Sequence, residues 1–409
     1  MKAEPRIVVT GIGAVCAFGW GTEALRAGLL SGTTAIDKPS EFDTENHRTH
    51  LAGEVPAAPE SVRHATRGWD GLSKADQFAQ AAATEAVRHA GLATEGAPFG
   101  VFFGGSTAGM LESEEWYARL IAARPGRTRL RLLASQLLNG PGDAVARHLR
   151  VTGPVQSISS ACASGGLAIG AAIEALRSGA VEVAIAGGSD SLCQLTYGGF
   201  NSLRSVDADP CRPFRSDRAG LSLGEGAGVL VLESLGHADH RGARPIAEVL
   251  GYGASCDAHH MTAPHPDGDG ILEASRVALK DAGLGPSDVT FINSHGTGTA
   301  HNDSAECRAY QRLFESRLSQ VPVTATKASI GHVLGAAGAL EAVSTVLAFC
   351  DRVVYPCPGD QAGDPDLGID LVVGRKPHLE DESTAISTNL AFGGANVAVV
   401  LRSWAGSPA

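Results

Sequence analysis

Short β-rich runs alternate with helical stretches along nearly the whole of this 409-residue chain, and that alternation leaves few architectures open. Strand-like runs at 7–10, 99–103, 181–186 and 228–233 are interleaved with helical patterns at 22–31, 76–90 and 167–178. A second set follows at 246–252, 271–282, 289–293, 305–314, 336–349 and 395–401. Such a rhythm predicts an α/β fold with largely buried sheets. The 51 glycines, many in Gly-Gly or Gly-Ala-Gly clusters, read as tight helix–sheet packing and sharp turns. No internal sequence repeat is evident.

The formal net charge of −11 argues against nucleic acid or an anionic membrane as the main partner. No run of about 18 apolar residues occurs, and residues 1–6 lack the charged-then-apolar layout of a secretory signal, so the expected compartment is the cytoplasm. Eight cysteines, at 16, 162, 193, 211, 256, 307, 350 and 357, include no CxxC pair and suggest neither a zinc knuckle nor a redox motif. Seven read as buried or neutral thiols. Phosphate-binding and dinucleotide fingerprints are absent, so no nucleotide cofactor is implied. His259, His260 and His265 lie in a stretch broken by Pro264 and Pro266 and read as a loop rather than a metal site.

Three segments carry chemistry. Cys162 stands in Ser160-Ala161-Cys162-Ala163-Ser164-Gly165-Gly166, between a β-rich segment at 151–158 and an Ala-rich helix, and so at or near a helix N-terminus, where free N–H groups favour a thiolate. Taken alone, it reads equally as a core cysteine. His295 ends a strand inside a Gly/Thr turn, and His332 follows Lys327 by five residues before a small-residue helix. Each alone is weak: such a histidine is more often a packed residue, and a lone lysine a solvated charge.

Together these segments resemble the β-ketoacyl synthases in order, spacing and context. The likeness runs from Arg6-Ile7-Val8-Val9-Thr10-Gly11 to Asn389-Leu390-Ala391-Phe392-Gly393-Gly394-Ala395-Asn396. Between lie Ala186 to Asp190, Pro213-Phe214-Arg215-Ser216-Asp217-Arg218, the HGTGT turn and the TKASIGH segment. The resemblance implies a thiolase-like fold, a five-layer αβαβα sandwich of two related halves, at 1–245 and 246–409. It implies Cys162 as nucleophile for an acyl thioester borne by an acyl carrier protein, and His295 and His332 as donors to the enolate formed when malonyl carrier protein loses carbon dioxide. The oxyanion donors would be the N–H groups of Cys162 and Phe392, with Gly393 and Gly394 permitting close approach and Phe392 acting as a gate. Lys327 would orient His332, and Glu306 would pair with Lys327 or an ordered water. No cofactor beyond the carrier's phosphopantetheine is implied.

Departures from the family pattern bear on substrate. Ala391 stands where many relatives have glycine, so the gating loop is expected to swing less freely; Ala395 replaces a frequent threonine and Gly298 a small polar residue. Ala108 aligns with a bulkier residue that blocks the acyl pocket in fatty-acid enzymes, and Cys193 and Phe200 are expected pocket residues. The stretch from Asp190 to Phe200 is similar to ketosynthases that build conjugated polyenes. Arg204, Arg63, Arg67 and Lys74 are the positional candidates for contact with an acidic carrier. Residues 112–150 read as an Arg-rich helical insertion that caps the pocket and contributes to a dimer interface. A homodimer, or a heterodimer with a chain-length factor, is expected. Two other readings stay open: a non-catalytic chain-length factor, against which Cys162 counts, and a thiolase or chalcone-synthase-like enzyme acting on coenzyme A esters, against which His295 and His332 count.

Overall fold

The structure, a computed structural model, describes residues 4–122, 133 and 135–405. The first five core strands are β1 (Ile7–Cys16), β2 (Gly100–Gly104), β3 (Val155–Ile158), β4 (Val183–Asp190) and β5 (Gly226–Ser234). They lie in the order β3-β2-β4-β5-β1, with parallel pairing up to β4 and antiparallel pairing beyond it. Six more follow: β6 (Ala247–Cys256), β7 (Phe291–Asn293), β8 (Pro322–Thr324), β9 (Asp370–Leu371), β10 (Thr384–Leu390) and β11 (Ala395–Ser403). Their order is β9-β8-β7-β10-β11-β6.

Setting aside the two-residue edge strand β9, the second set repeats the first. In each, the third strand lies outermost, then the second, fourth, fifth and first, and the switch from parallel to antiparallel falls at the same step. The sets are joined where Ile7, Val8 and Val9 pair with Val249, Glu248 and Ala247. The two halves expected from the resemblance are thus visible as a repeated topology that the sequence does not display.

Helices complete five layers. The first half carries α1 (Thr22–Ser31), α2 (Glu60–Ala65), α3 (Lys74–Ala90), α4 (Met110–Ile121) and α5 (Gly140–Leu149). Of these, α3 packs on β1 and β5, and α5 on α3 and β2, to cover the outer face of the first sheet. The start of α3 is set by Ser73, which accepts from Asp76 N while the Asp76 carboxylate accepts from Ser73 N, a reciprocal cap. Glycines on β1 let α3 approach closely: a Cβ at Gly13 would sit 1.9 Å from Ala82 O. On the inner face of the first sheet lies α6 (Ser164–Arg177). The chain then adds α7 (Gln194–Ser202), α8 (Asp269–Asp281), α9 (Ala300–Phe314), α10 (Lys327–Ile330) and α11 (Ala337–Asp351). The outer cover of the second sheet is α8, with α9 packed against it, and α11 is the second central helix, in contact with α6 and with strands of both sheets.

That position explains the composition of α11. Every residue from 337 to 349 is buried, because a helix between two sheets has no solvent face. The segment Leu334–Asp351 is long and apolar enough to cross a membrane, yet is 89% buried within the fold. It shows no unbroken apolar run in the sequence because Glu341, Ser344 and Thr345 interrupt it. Within the expected 112–150 insertion, α4 and α5 are helical; residues 123–132 and 134 lie outside the described residues.

Candidate active site

The turn after β3 places Cys162. Ala161 is held at φ 44°, a left-handed conformation that costs a residue with a Cβ about 1 kcal/mol or more. Ser164 secures the turn from both sides: its Oγ accepts from Ser160 N at 2.8 Å and donates to Ala161 O at 2.6 Å. The thiol is thereby fixed two residues before α6 begins, in a site only 6% exposed.

His295 follows β7, in a turn clamped from below by two carboxylates of α9. Glu306 accepts from His295 N at 2.9 Å and Gly296 N at 2.7 Å, and Asp303 from Thr297 N at 3.1 Å and Gly298 N at 3.2 Å. Gly298 has φ 81°, and a Cβ there would lie 2.6 Å from Gly220 O, so the polar residue of the family pattern would not fit this turn. His332 enters between α10 and α11, pinned by its N–H to Ser222 O at 2.7 Å.

Both imidazoles have a defined tautomer. Leu334 N donates to His332 Nδ1 at 3.2 Å, and the Lys327 ammonium donates to His295 Nδ1 at 3.0 Å, so in each ring the proton sits on Nε2. His332 Nε2 lies 3.0 Å from Cys162 Sγ. The rings meet edge to face with centroids 5.2 Å apart, and ligand atoms of Cys162, His295 and His332 all fall within 4.8 Å of one another. Burial lowers both histidines well below the ordinary imidazole range; the Lys327 charge adds to this in each, and His332 adds to it for His295. The site therefore presents two neutral N–H donors. Cysteine and histidine are also zinc ligands, but an ammonium bonded to His295 opposes a second cation there.

The helix start does not by itself make Cys162 a thiolate. Burial pushes the thiol up to about 11, against the Lys327 charge and a hydrogen bond from Phe392 N–H, while Asp190 and Glu341 push the same way as burial.

Two expected partnerships do not hold. Lys327 orients His295 rather than His332, through Nδ1 and through the His295 carbonyl at 2.7 Å. Nor does Glu306 pair with Lys327: it takes the two backbone N–H groups together with Asn302 Nδ2 at 2.8 Å and the Tyr310 hydroxyl at 2.8 Å. Burial and neighbouring Asp303 push its carboxyl up to about 7. The carboxylate that pairs with Lys327 is Glu341 of α11, which also accepts from Asn389. Sequence reasoning missed Glu341, although a lone glutamate in an otherwise apolar helix was a signal for it. Asp303 and Asn302 were also missed.

Cys162, His295 and His332 line a pocket of about 100 Å³ with Phe200, Ala391 and Phe392. The Phe200 and Phe392 rings stack at 5.4 Å and 24°. Beyond Phe392, Gly393 and Gly394 have φ 86° and 83°, and Gly393 N donates to Met261 O at 2.7 Å. Residues 257–268 do form a loop, and Thr262 and Pro264 of that loop are pocket wall.

Other expected residues are placed elsewhere. Ala108 is buried at φ 45°, its N–H bonded to Asp190, and Cys193 is buried against Thr196; neither lines this pocket. Cys256 is exposed rather than buried, and Cys350 is partly so. Arg204 is exposed, adjoining Ser205 at the pocket rim. Arg63 is exposed beside a separate cavity of about 560 Å³ whose wall includes Glu41, Glu54, Glu112 and Glu115, a poor surface for an acidic carrier. Arg67 is exposed just past α2. Lys74 is no free surface cation: it is bonded to Glu225 and Glu41 at 2.7 and 2.9 Å.

A buried thiol at a helix start, facing two neutral imidazole donors within a repeated α/β topology, is the arrangement of a condensing enzyme of the thiolase-like class. Residues 4–238 match the beta-ketoacyl synthase N-terminal domain and residues 246–359 its C-terminal domain. The chain belongs to the β-ketoacyl synthase family. It is 35% identical to 3-oxoacyl-[acyl-carrier-protein] synthase 2 of Rhizobium meliloti (strain 1021) and 33% identical to that of Staphylococcus aureus (strain COL), covering 98% of this chain and 99% of each relative. Among solved structures it is similar to the ishigamide ketosynthase/chain length factor, with TM-score 0.92 and 34% identity over 98% of this chain and 100% of that one. It is also similar to a ketosynthase in complex with its chain length factor from Xenorhabdus doucetiae, with TM-score 0.81 and 28% identity over 98% of each chain.

Proposed function

We propose that this protein is a β-ketoacyl-[acyl carrier protein] synthase that condenses a Cys162-bound acyl group with malonyl carrier protein. The observation that carries the reading is the convergence of the Cys162 thiol with two Nε2–H donors whose tautomers are set from behind. In the first step Cys162 Sγ attacks the carbonyl of an acyl thioester. The carrier's carbon–sulfur bond breaks, and its thiol leaves with the proton that Cys162 gives up. The N–H groups of Cys162 and Phe392 stabilise the oxyanion, a role supported by the Phe392 N–H bond to the thiol. In the second step the malonyl carbon–carboxylate bond breaks. His295 and His332 hold the enolate oxygen, the enolate carbon attacks the acyl carbonyl, and the released Cys162 thiolate takes a proton from water. Neutral imidazoles suit this step, since an imidazolium would protonate the carbanion. Lys327 and Glu306 position the His295 turn.

Residues 1–245 and 246–409 are, in this reading, the halves of one catalytic domain working in the cytoplasm. The partners are an acyl carrier protein, docked near Arg204, and a second ketosynthase-fold chain, either another copy or a chain-length factor. The pathway is type II polyketide or fatty-acid synthesis; the stretch from Asp190 to Phe200 favours the polyene side. A non-catalytic chain-length factor is disfavoured by the intact Cys162 site.

Intact-mass analysis after incubation with acyl carrier proteins of graded chain length tests this. A thioester adduct on wild type but not on Cys162→Ala, discharged by malonyl carrier protein, is expected. No adduct with any chain, alone or co-expressed with a chain-length factor, would sink the assignment.

A further inference from the structure

The pocket holds one buried amide whose orientation is decided by its neighbours. Asn302, third residue of α9, is 7% exposed and lines the pocket with Cys162, His295 and His332. Its Nδ2 donates to Glu306 Oε2 at 2.8 Å and to Asp303 Oδ1 at 3.2 Å. The opposite amide orientation would aim an oxygen at two carboxylates, so the nitrogen must face them. Both Nδ2 hydrogens are thus committed, and Oδ1, with no donor among the described residues, is the free group of this side chain. A carbonyl oxygen on a pocket wall with no protein partner is open to a donor from a ligand. The hydroxyls of Thr297 and Thr299, also on this wall, bond each other at 2.8 Å.

We propose that Asn302 Oδ1 accepts a hydrogen bond from an amide N–H of the phosphopantetheine arm, making Asn302 a binding residue that registers the thioester over Cys162. This rests on the ketosynthase reading: an arm that delivers a thioester to a buried cysteine must run along this wall, and the amide N–H groups are the donors its chain carries. The geometry is one-sided. With Nδ2 turned to Glu306 and Asp303, the group left to the pocket is an acceptor, which favours an N–H over a bare carbonyl at that point.

The test compares malonyl thioesters of ethanethiol, N-acetylcysteamine and pantetheine, which carry none, one and two amides, as second substrates for acylated wild type, Asn302→Ala and Asn302→Leu. Loss of one neutral hydrogen bond predicts a fall in kcat/KM of about 5- to 10-fold, seen mainly in KM, for an amide-bearing thioester. Any loss on the ethanethiol ester should be smaller than that on the amide-bearing thioesters by this same factor. The step in the series at which the loss appears names the amide. Equal losses on all three thioesters would overturn the proposal and leave Asn302 as a brace for Glu306 and Asp303. Asn302→Leu, close in volume, serves if the alanine variant fails to fold, and melting temperatures are read first. Wild type that forms no acyl adduct would instead overturn the ketosynthase reading.

Discussion

The two halves share one topology but carry opposite chemistry at equivalent places. Where the third strand of the first half turns into its central helix stands Cys162; where β8 leads toward α11 stands His332. At the exit of the second strand the second half has His295. The first half has Ser106, Thr107 and Ala108, whose N–H groups all bond to Asp190, as does that of Gly335 from the other half. Asp190 is a buried carboxylate saturated by donors and serves to tie the halves together. The second half instead buries Glu341 against the Lys327 ammonium, and Glu306 and Asp303 beneath the His295 turn. One half thus supplies the buried Cys162 thiol and the other a pair of Nε2–H donors, and the pocket needs both.

The nucleophile side should break most completely. Cys162→Ala is expected to abolish the acyl adduct and lower condensation by at least about 10³-fold, with stability within about 1 kcal/mol of wild type because no large cavity is opened; intact mass and thermal denaturation check this. The donor side should then divide. His295→Ala, with no bond to Cys162, should leave acylation nearly intact and slow malonyl-dependent discharge by about 10²- to 10³-fold. His332→Ala removes the 3.0 Å contact to Sγ and should slow acylation as well, about 10-fold or more. Equal acylation rates in the two variants would remove this distinction.

The buried ammonium of the second half makes a stability prediction. Lys327→Met strands the buried Glu341 carboxyl, which burial already pushes up, and should cost about 3–5 kcal/mol, with Lys327→Met/Glu341→Leu recovering part of it. Denaturant unfolding of the three proteins measures the difference. The thiol itself sharpens the comparison through pH. Because burial raises Cys162 to about 11, its thiolate fraction should rise about tenfold per unit from pH 7 to 10, and alkylation with it. A plateau near pH 7, followed by peptide mass mapping, would show that the helix start outweighs burial. The smallest effect should separate two surface sites: Arg204→Ala at the pocket rim is expected to lower kcat/KM for carrier-borne substrates a few-fold, most at low salt, and Arg63→Ala beside the acidic cavity to leave it unchanged.

Much of this was legible along the chain. The α/β rhythm, Cys162 before its helix and the two histidines at strand and helix ends are local patterns, set by side-chain periodicity and glycine turns. The errors among the catalytic residues concern partners distant in sequence. The resemblance implied His332 as the partner of Lys327, yet the ammonium reaches His295, 32 residues away, because β7 and β8 are parallel neighbours. Glu341, 14 residues beyond Lys327, meets it only because α11 folds back between the sheets.

By itself, then, the sequence showed the α/β rhythm and set Cys162, His295 and His332 at strand and helix ends, since each of these depends on a few adjacent residues. Tertiary structure alone decided the repeated topology of the halves, the pairing of Lys327 with Glu341, the Nε2–H tautomers and the free oxygen of Asn302. Those follow from which buried groups face one another once water is excluded, and a buried polar atom takes whatever partner the packing brings within about 3 Å.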